Sequence, residues 1–252
     1  MIVIKFGGTS VQDAAAIDRA AAITRGRAPR RPVVVVSALA GTTNALLAVA
    51  DQAARGRLIV ALSGVEEIRT RHLRECDALL GTSAAHETGA DLSAMCDELA
   101  HLAEALSVLG DLTPRSQDAI AAYGEMLSVA LVHAAFRARE VPVELMDARD
   151  VIATDDGFTR AAPRHDEIAR LAREHVLPVL KDGRIPLLGG FIGRDGVLVK
   201  QAAAAEHDGQ KQQHRRARAP PPRTAPLCER TPNHGSDEPP SPLPDLTGRA
   251  SA

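Results

Sequence analysis

The sequence predicts an α/β fold in which helices cover both faces of a mostly parallel central sheet, a three-layer α/β/α sandwich. Three observations lead to this prediction. Short apolar runs typical of buried strands occur at 1–6, at 33–36 and at 185–192. Longer segments between them have apolar residues at three-to-four spacing, as in amphipathic helices. Strands that alternate with helices form parallel β-α-β units, so we expect the strands to share one sheet.

Capping and turn residues set the limits of the predicted elements. Thr9 or Ser10 can cap the first helix, Asp13 favours its first turn, and Gly26 can end it. Gly110 is expected to end a long middle helix. The predicted elements are strands at 1–6, 33–36, 141–146 and 185–192, and helices at 11–25, 45–55, 65–80, 92–109, 114–140 and 167–180.

Composition narrows the function classes. Apolar residues make up 45% and charged residues 25% of the 252 residues, which is ordinary for a globular protein. The net charge of -2 gives no electrostatic case for a nucleic-acid or membrane partner. No uninterrupted apolar run has the roughly 18 to 20 residues of a membrane span. Three cysteines without a CxxC pair fit a reducing compartment, so the expected location is cytoplasmic. The nine histidines show no metal-ligand spacing.

The character of the chain changes near residue 200. After Val199 there is no Val, Ile, Met, Phe or Tyr, and nine of the 16 prolines follow it. Such a segment has little apolar surface to offset an ordering entropy of roughly 1–2 kcal/mol per residue. We therefore predict a folded part at 1–199 and a disordered tail at 200–252. A basic cluster in the tail could contact RNA, although a solvated run of charges explains it better. Its members are Lys211, Arg215, Arg216 and Arg218.

The sharpest local motif is IKFGGTS at 4–10, where a strand ends in two glycines and a helix is expected to follow. Backbone N–H groups at such a turn attract phosphate, and glycine lets the backbone approach it closely. Lys5 adds a positive charge where a transferred phosphoryl group carries negative charge. A plain strand-to-helix turn with an exposed lysine remains an alternative.

Three further motifs carry candidate side chains. In SALAGTTN at 37–44, Ser37 and Thr43 can donate to a carboxylate or phosphate, although a threonine there could simply cap the next helix. In AYGEML at 122–127, Glu125 lies on a mainly apolar helix face and needs a cationic partner. That partner could be a substrate ammonium group, or Arg115 or Arg137 in an internal salt bridge. The fourth motif, GGFIGRDG at 189–196, is on its own a turn.

Taken together and in order, these motifs resemble the aspartate kinases of the amino-acid kinase family. The resemblance runs from Ile2 to about Gly196 and includes KFGGTSV, VVVVSALAGTTN, YGEMLS, DARDVIATDDGF and GGFIGRDG. It implies the fold of that family, present here in incomplete form. It also implies phosphoryl transfer from ATP, with Mg²⁺ on the nucleotide, to the side-chain carboxylate of L-aspartate. The product would serve lysine, threonine and methionine synthesis, and a homo-oligomer stays open.

The resemblance also implies roles for individual residues. Lys5 would stabilise the transferred phosphoryl group, and Glu125 would hold the ammonium group of aspartate. Ser37 and Thr43 would line the aspartate and phosphate site. The loop that binds the phosphates of ATP would consist of Lys5, Phe6, Gly7, Gly8, Thr9 and Ser10.

The resemblance stops after about residue 196. The family continues with a Leu-Gly-Arg-Gly-Gly-Ser-Asp motif, an adenine-binding half and regulatory domains, and none of these follows here. We hypothesise a truncation or a frameshift, because suitable codons for 201–205 would encode Gly-Arg-Gly-Gly in another frame. Resequencing the gene tests this idea. On this reading the chain is a remnant that binds aspartate or a full-length partner, and its ATP turnover is negligible.

Overall fold

Four parallel strands form one sheet in residues 1–194, the part of the chain that the structure, a computed structural model, describes. The strands are β1 (Ile2–Phe6), β2 (Pro32–Val36), β3 (Val143–Leu145) and β4 (Ile185–Gly189). They pair in the order β1-β2-β4-β3, and Val34 lies opposite both Ile4 and Leu187. Because every pair is parallel, the carboxyl ends of the strands meet at one edge of the sheet, where α/β folds bind ligands.

Helices fill the connections between these strands. They are α1 (Ala14–Arg27), α2 (Thr42–Ala54), α3 (Leu58–Leu79), α4 (Thr82–Leu109), α5 (Pro114–Ala138), α6 (His165–Leu171) and α7 (Leu177–Lys181). Short 3-10 turns at Gly8–Ser10, Ala28–Arg30 and Ala148–Asp150 complete the described elements. The connection from β2 to β3 holds four helices, α2 to α5, so most of the helical mass follows the second strand.

The two faces of the sheet bury different side chains, which makes the fold a three-layer sandwich as predicted. Val34, Val36 and Leu187 point into a large core shared with α1 to α5. Leu188 points to the opposite face and packs in a smaller cluster with Val176 and other residues of the α6–α7 segment. The predicted α/β/α architecture with a parallel sheet is therefore confirmed.

The start of α1 differs from the prediction. The helix begins at Ala14, and its cap is Asp13, whose carboxylate accepts a 2.8 Å hydrogen bond from the Ala16 amide. Thr9 and Ser10 belong to a separate 3-10 turn, so the predicted caps were wrong. Gly26 does not end the helix either, because α1 continues to Arg27.

Helices α3 and α4 begin earlier than predicted, at Leu58 and Thr82. Their first turns lack an apolar stripe: Ile59 at the start of α3 is 86% exposed, and the start of α4 is mostly small or polar. Periodicity therefore gave no signal there. The ends were predicted better, since Gly110 adopts a left-handed φ of 68° and caps α4.

The last predicted helix, at 167–180, is a helical segment in three parts. Between α6 and α7 the chain forms a π turn, Ala172–Val176. Pro178 follows this turn directly, and proline has no N–H to continue an α-helical ladder. The strands at 141–146 and 185–192 are shorter than predicted, because β3 covers three residues and β4 ends at Gly189.

Helix α5 crosses the centre of the fold. It is the one helix within residues 1–194 that is long and apolar enough to cross a membrane, but 61% of its apolar window is buried inside the protein. It contacts β2, β3 and β4 and contributes Leu127, Leu131 and Phe136 to the main core. We therefore describe α5 as the central helix of the core.

The described residues lie within one compact unit. The predicted tail at 200–252, its basic cluster and Asp195 lie outside the described residues, so these predictions stay predictions.

Candidate active site at the carboxyl edge of the sheet

The first predicted motif forms a loop between β1 and α1, which we call the glycine loop (residues 7–13). Lys5 precedes it near the carboxyl end of β1 and is exposed, whereas Phe6 is buried in the main core. Gly8 starts a 3-10 turn in which the Ser10 amide donates to the Gly7 carbonyl at 2.8 Å. The first amides of such a turn have no partner within it and can therefore donate to an anion.

The start of α1 is occupied by carboxylates of the protein itself. Asp13 accepts from the Ala16 amide, and Glu75 of α3 accepts a 2.9 Å hydrogen bond from the Ala14 amide. The prediction that α1 starts directly after the two glycines and offers its amides to phosphate was therefore wrong. Only the turn ahead of the helix leaves donors for that purpose.

The second predicted motif forms the serine loop (residues 37–41), which lies against the glycine loop. A Cβ atom placed on Gly8 would be 3.0 Å from the Ala38 carbonyl oxygen and 3.4 Å from the Ala40 Cα atom. The Ser37 amide also donates to the Phe6 carbonyl at 3.0 Å, which extends the β1–β2 pairing past the strand ends. The two loops therefore touch at a position where only glycine fits without a shift.

Glu125 of α5 lies beside the serine loop. It is buried, with 5% of its surface exposed, and its carboxylate accepts a hydrogen bond from the Ala38 amide. Three residues further along α5, the Ser128 hydroxyl donates to the Ser37 carbonyl at 2.7 Å. Helix α5 therefore holds the serine loop at both Ser37 and Ala38.

The electrostatic environment of Glu125 leaves room for a cation. Burial raises the pKa of the Glu125 carboxyl above its ordinary value, and the Ala38 amide and the positive charge of Lys5 oppose that rise. Lys5 thus lies close enough to act on Glu125, although the net effect of its surroundings still disfavours the charged carboxylate. An additional positive group at this position would stabilise it.

The alternative partners considered from the sequence do not contact Glu125. Arg115 lies over the ring of Phe158, 5.8 Å from its centroid, and Arg137 is exposed near the end of α5. No ion pair within residues 1–194 joins Glu125 to either arginine. The predicted internal salt bridge is therefore wrong, and the cation that Glu125 lacks could come from a ligand.

The fourth predicted motif follows β4 and reaches the same edge of the sheet. A Cβ atom on Gly189 would lie 3.4 Å from the Glu125 Cβ atom, so the end of β4 passes close to α5. Phe191 comes next in a left-handed conformation with φ 52°, and its exposed ring lies 5.3 Å from the Lys5 Nζ atom. Lys5, Glu125 and the start of this motif are therefore neighbours.

Not every predicted site residue joins this group by a described contact. Thr43 lies in the first turn of α2 and is exposed, and it does not cap the helix, whose N-cap is Gly41 with φ 84°. Thr9 and Ser10 are exposed in the glycine loop. Their predicted roles toward phosphate or aspartate stay predictions.

The sequence gave no sign of several residues that shape the site. Gly124 is one: a Cβ atom there would lie 3.1 Å from both the Ala38 Cβ and the Leu46 Cδ1 atoms. Arg71 of α3 is another, because it hydrogen-bonds to the backbone of both loops. Neither has a local signal, since each acts through contacts with residues far away in the chain.

A glycine substitution in α5 tests this packing. Gly124→Ala is expected to lower the free energy of unfolding by about 1–3 kcal/mol, because Ala38 and Leu46 are buried and cannot yield freely. Gly26→Ala in α1 is the control: nothing lies within 4 Å of its Cβ position, so a gain of about 0.5–1 kcal/mol is expected. Urea denaturation measures both. Equal effects of the two substitutions would contradict close packing at Gly124.

Comparison with known proteins gives relatives of one kind. The family model described as "Amino acid kinase family" matches residues 1–201. Lysine-sensitive aspartokinase 3 of Escherichia coli is 33% identical over 195 residues, which is 77% of this chain and 41% of that protein. An aspartokinase of Chlamydia muridarum is 33% identical over 192 residues, covering 76% of this chain and 39% of the relative.

Solved structures agree with these sequence relatives. Escherichia coli aspartokinase III, in complex with lysine and aspartate, matches with a TM-score of 0.70 at 32% identity, over 78% of this chain and 42% of that one. The same enzyme in complex with aspartate and ADP matches equally well. The chain thus spans about two fifths of the length of these relatives. With its parallel sheet, its glycine loop beside the first strand and a family match over most of its length, the chain belongs to the amino acid kinase family.

Proposed function

We propose that this chain binds L-aspartate between Lys5 and Glu125, and that the binding serves phosphorylation of the aspartate side chain. The observation that carries the proposal is the pairing of a buried carboxylate, lacking a cationic contact, with an exposed lysine close by. Aspartate offers complementary groups, since it has one ammonium and two carboxylates. A relative with 32% identity has been solved with aspartate and ADP, which supports the choice of ligand.

Each residue has a distinct part in the proposed reaction. Glu125 would hold the ammonium group of aspartate, so that the side-chain carboxylate faces Lys5. A carboxylate oxygen would attack the γ-phosphorus of ATP in line, the bond to the ADP oxygen would break, and aspartyl phosphate would form. Lys5 would stabilise the charge on the transferred group, and the free amides of the glycine loop would bind its oxygens.

The glycine loop suits a phosphate group, because a Cβ atom at Gly8 would fill space against the serine loop and push the backbone away. Mg²⁺ would arrive with the nucleotide and neutralise part of its charge. Within residues 1–194, no group of three or more His, Cys, Asp or Glu side chains is placed to hold a metal ion, so we assign no protein ligand to it.

A second candidate is aspartate binding without turnover. It is favoured by the share of the relatives that the chain matches, 41% of the Escherichia coli enzyme. We expect negligible aspartate-dependent release of ADP from the purified chain, whereas kinases usually turn over at ~1–100 s⁻¹. Turnover in that range would contradict the second candidate and support the full reaction.

Calorimetry separates the proposals. The 252-residue chain is titrated with L-aspartate, with succinate, which has both carboxylates but no ammonium group, and with a non-hydrolysable ATP analogue. Binding of aspartate but not of succinate supports the assigned role of Glu125. Equal affinity for the two dicarboxylates would contradict it. Binding of aspartate without binding of the nucleotide analogue would favour the second candidate.

A further inference from the structure

Arg71 of α3 holds the two loops of the candidate site together from outside the site. Its Nη1 atom donates to the Ala40 carbonyl in the serine loop at 2.7 Å. Its Nη2 atom donates to the Gln12 carbonyl in the glycine loop at 3.1 Å. Among residues 1–194, this is the one side chain that hydrogen-bonds to the backbone of both loops.

The type of side chain suits this contact. A guanidinium group is planar and directs two N–H groups in a fixed fork, so it can reach two acceptors at once. Both acceptors here are uncharged main-chain carbonyls in loops that precede helices. Arg71 is half-buried, and its contacts hold backbone segments that the sequence separates by 28 residues in HB terms, from Gln12 to Ala40.

A neighbouring residue on α3 strengthens the same arrangement. Glu75 lies one turn after Arg71 and is 7% exposed. It accepts from the Ala14 amide at 2.9 Å, two residues after Gln12. Helix α3 therefore fixes the end of the glycine loop through a donor and an acceptor, and it reaches the serine loop through the donor alone.

The serine loop connects Arg71 to the site itself. Ala40, which Arg71 binds, is two residues from Ala38, whose amide donates to the Glu125 carboxylate. The Ala38 carbonyl is also the atom that faces Gly8 across the two loops. A displacement of the serine loop would therefore change both the hydrogen bond to Glu125 and the spacing of the glycine loop.

From these contacts we propose that Arg71 is a positioning residue: it sets the distance between the glycine loop and the serine loop, and so the affinity for the ligand. Arg71 touches neither Lys5 nor Glu125 through a described contact, so it acts through the loops. The part of the proposal that concerns ligand affinity rests on the proposed function, because the ligand used to measure it is L-aspartate.

Two measurements on the full chain test the proposal separately. Hydrogen exchange followed by mass spectrometry reports on the loops without any ligand, and calorimetry reports the affinity for L-aspartate. In Arg71→Ala, exchange in peptides that cover the two loops is expected to rise about tenfold, and aspartate affinity is expected to fall about tenfold. Peptides from α4 are expected to exchange as in the parent chain.

Two further variants complete the design. Arg71→Lys keeps the charge but has no fork, so it is expected to restore only part of the protection and affinity, and it carries the test if Arg71→Ala does not fold. Arg55→Ala is the matched control, because Arg55 is an exposed arginine at the end of α2 that pairs with Asp51. It is expected to change neither measurement.

The outcomes distinguish a positioning role from a merely structural one. A rise in exchange that is equal across α4 and the two loops would overturn the proposal, and so would unchanged exchange in both loops. Full recovery in Arg71→Lys would overturn the role of the fork. If the parent chain does not bind aspartate, the proposed function fails, and the exchange data still support or overturn the contact between Arg71 and the loops.

Discussion

Glu125→Gln is expected to remove aspartate binding and, at the same time, to make the folded chain more stable at neutral and alkaline pH. A glutamine cannot balance the charge of an ammonium group, so we expect the affinity to fall at least a hundredfold, as for a lost buried charge partner of about 3 kcal/mol. The side-chain oxygen of glutamine can still accept from the Ala38 amide, which keeps the loop contact.

The expected gain in stability follows from the pKa of Glu125. Burial raises this pKa above the ordinary value, so the folded state binds the proton more readily than the unfolded state does. The folded state therefore loses stability as the pH rises from the ordinary pKa through the raised one. Glutamine does not titrate, so at pH 8 the variant should gain about 1 kcal/mol, or about 2–4 °C in Tm.

Thermal unfolding at pH 4 and pH 8, together with calorimetry, measures both effects. The gain in Tm should be present at pH 8 and smaller at pH 4, where the carboxyl group is protonated in the parent chain. Glu104→Gln is the control, because Glu104 is an exposed glutamate on α4. Unchanged aspartate affinity in Glu125→Gln would contradict the role assigned to the carboxylate.

The second large effect is expected at Gly8. In Gly8→Ala, the new Cβ atom would be 3.0 Å from the Ala38 carbonyl oxygen, which belongs to the backbone and cannot rotate away. The two loops must therefore separate. We expect a loss of about 1–3 kcal/mol in the free energy of unfolding and a fall of about tenfold or more in aspartate affinity, because Ala38 also binds Glu125.

Gly7→Ala is the matched control for this substitution. Nothing lies within 4 Å of the Cβ position at Gly7, and its φ of -76° is accessible to alanine. Its free energy of unfolding is expected to change by no more than about 0.5 kcal/mol. Urea denaturation and calorimetry on both variants decide the matter, and equal effects at the two glycines would show that the loops are not in close contact.

The sheet could be predicted from the sequence because its signal is local. Continuous apolar runs marked β1, β2 and β4, and alternation with helices implied parallel pairing. The same reasoning placed the first two motifs at the carboxyl ends of neighbouring strands. Helix starts were harder to predict, because Asp13 and Glu75 cap α1 in place of the hydroxyl residues expected to do so.

The contacts within the site could not be predicted in the same way. Arg71 reaches the Ala40 carbonyl only because α3 packs beside both loops, and the rotation of that helix depends on the whole core. Likewise, the sequence suggested arginine partners for Glu125, whereas its described donor is the amide of Ala38. Such contacts depend on tertiary packing, for which a single sequence has no periodic signal.

A crystal structure of the chain with L-aspartate tests the central claim most directly. We predict that the ligand ammonium group lies about 3 Å from the Glu125 carboxylate and that the side-chain carboxylate faces Lys5. Aspartate bound away from both residues, or bound with its ammonium group toward Lys5, would contradict the account.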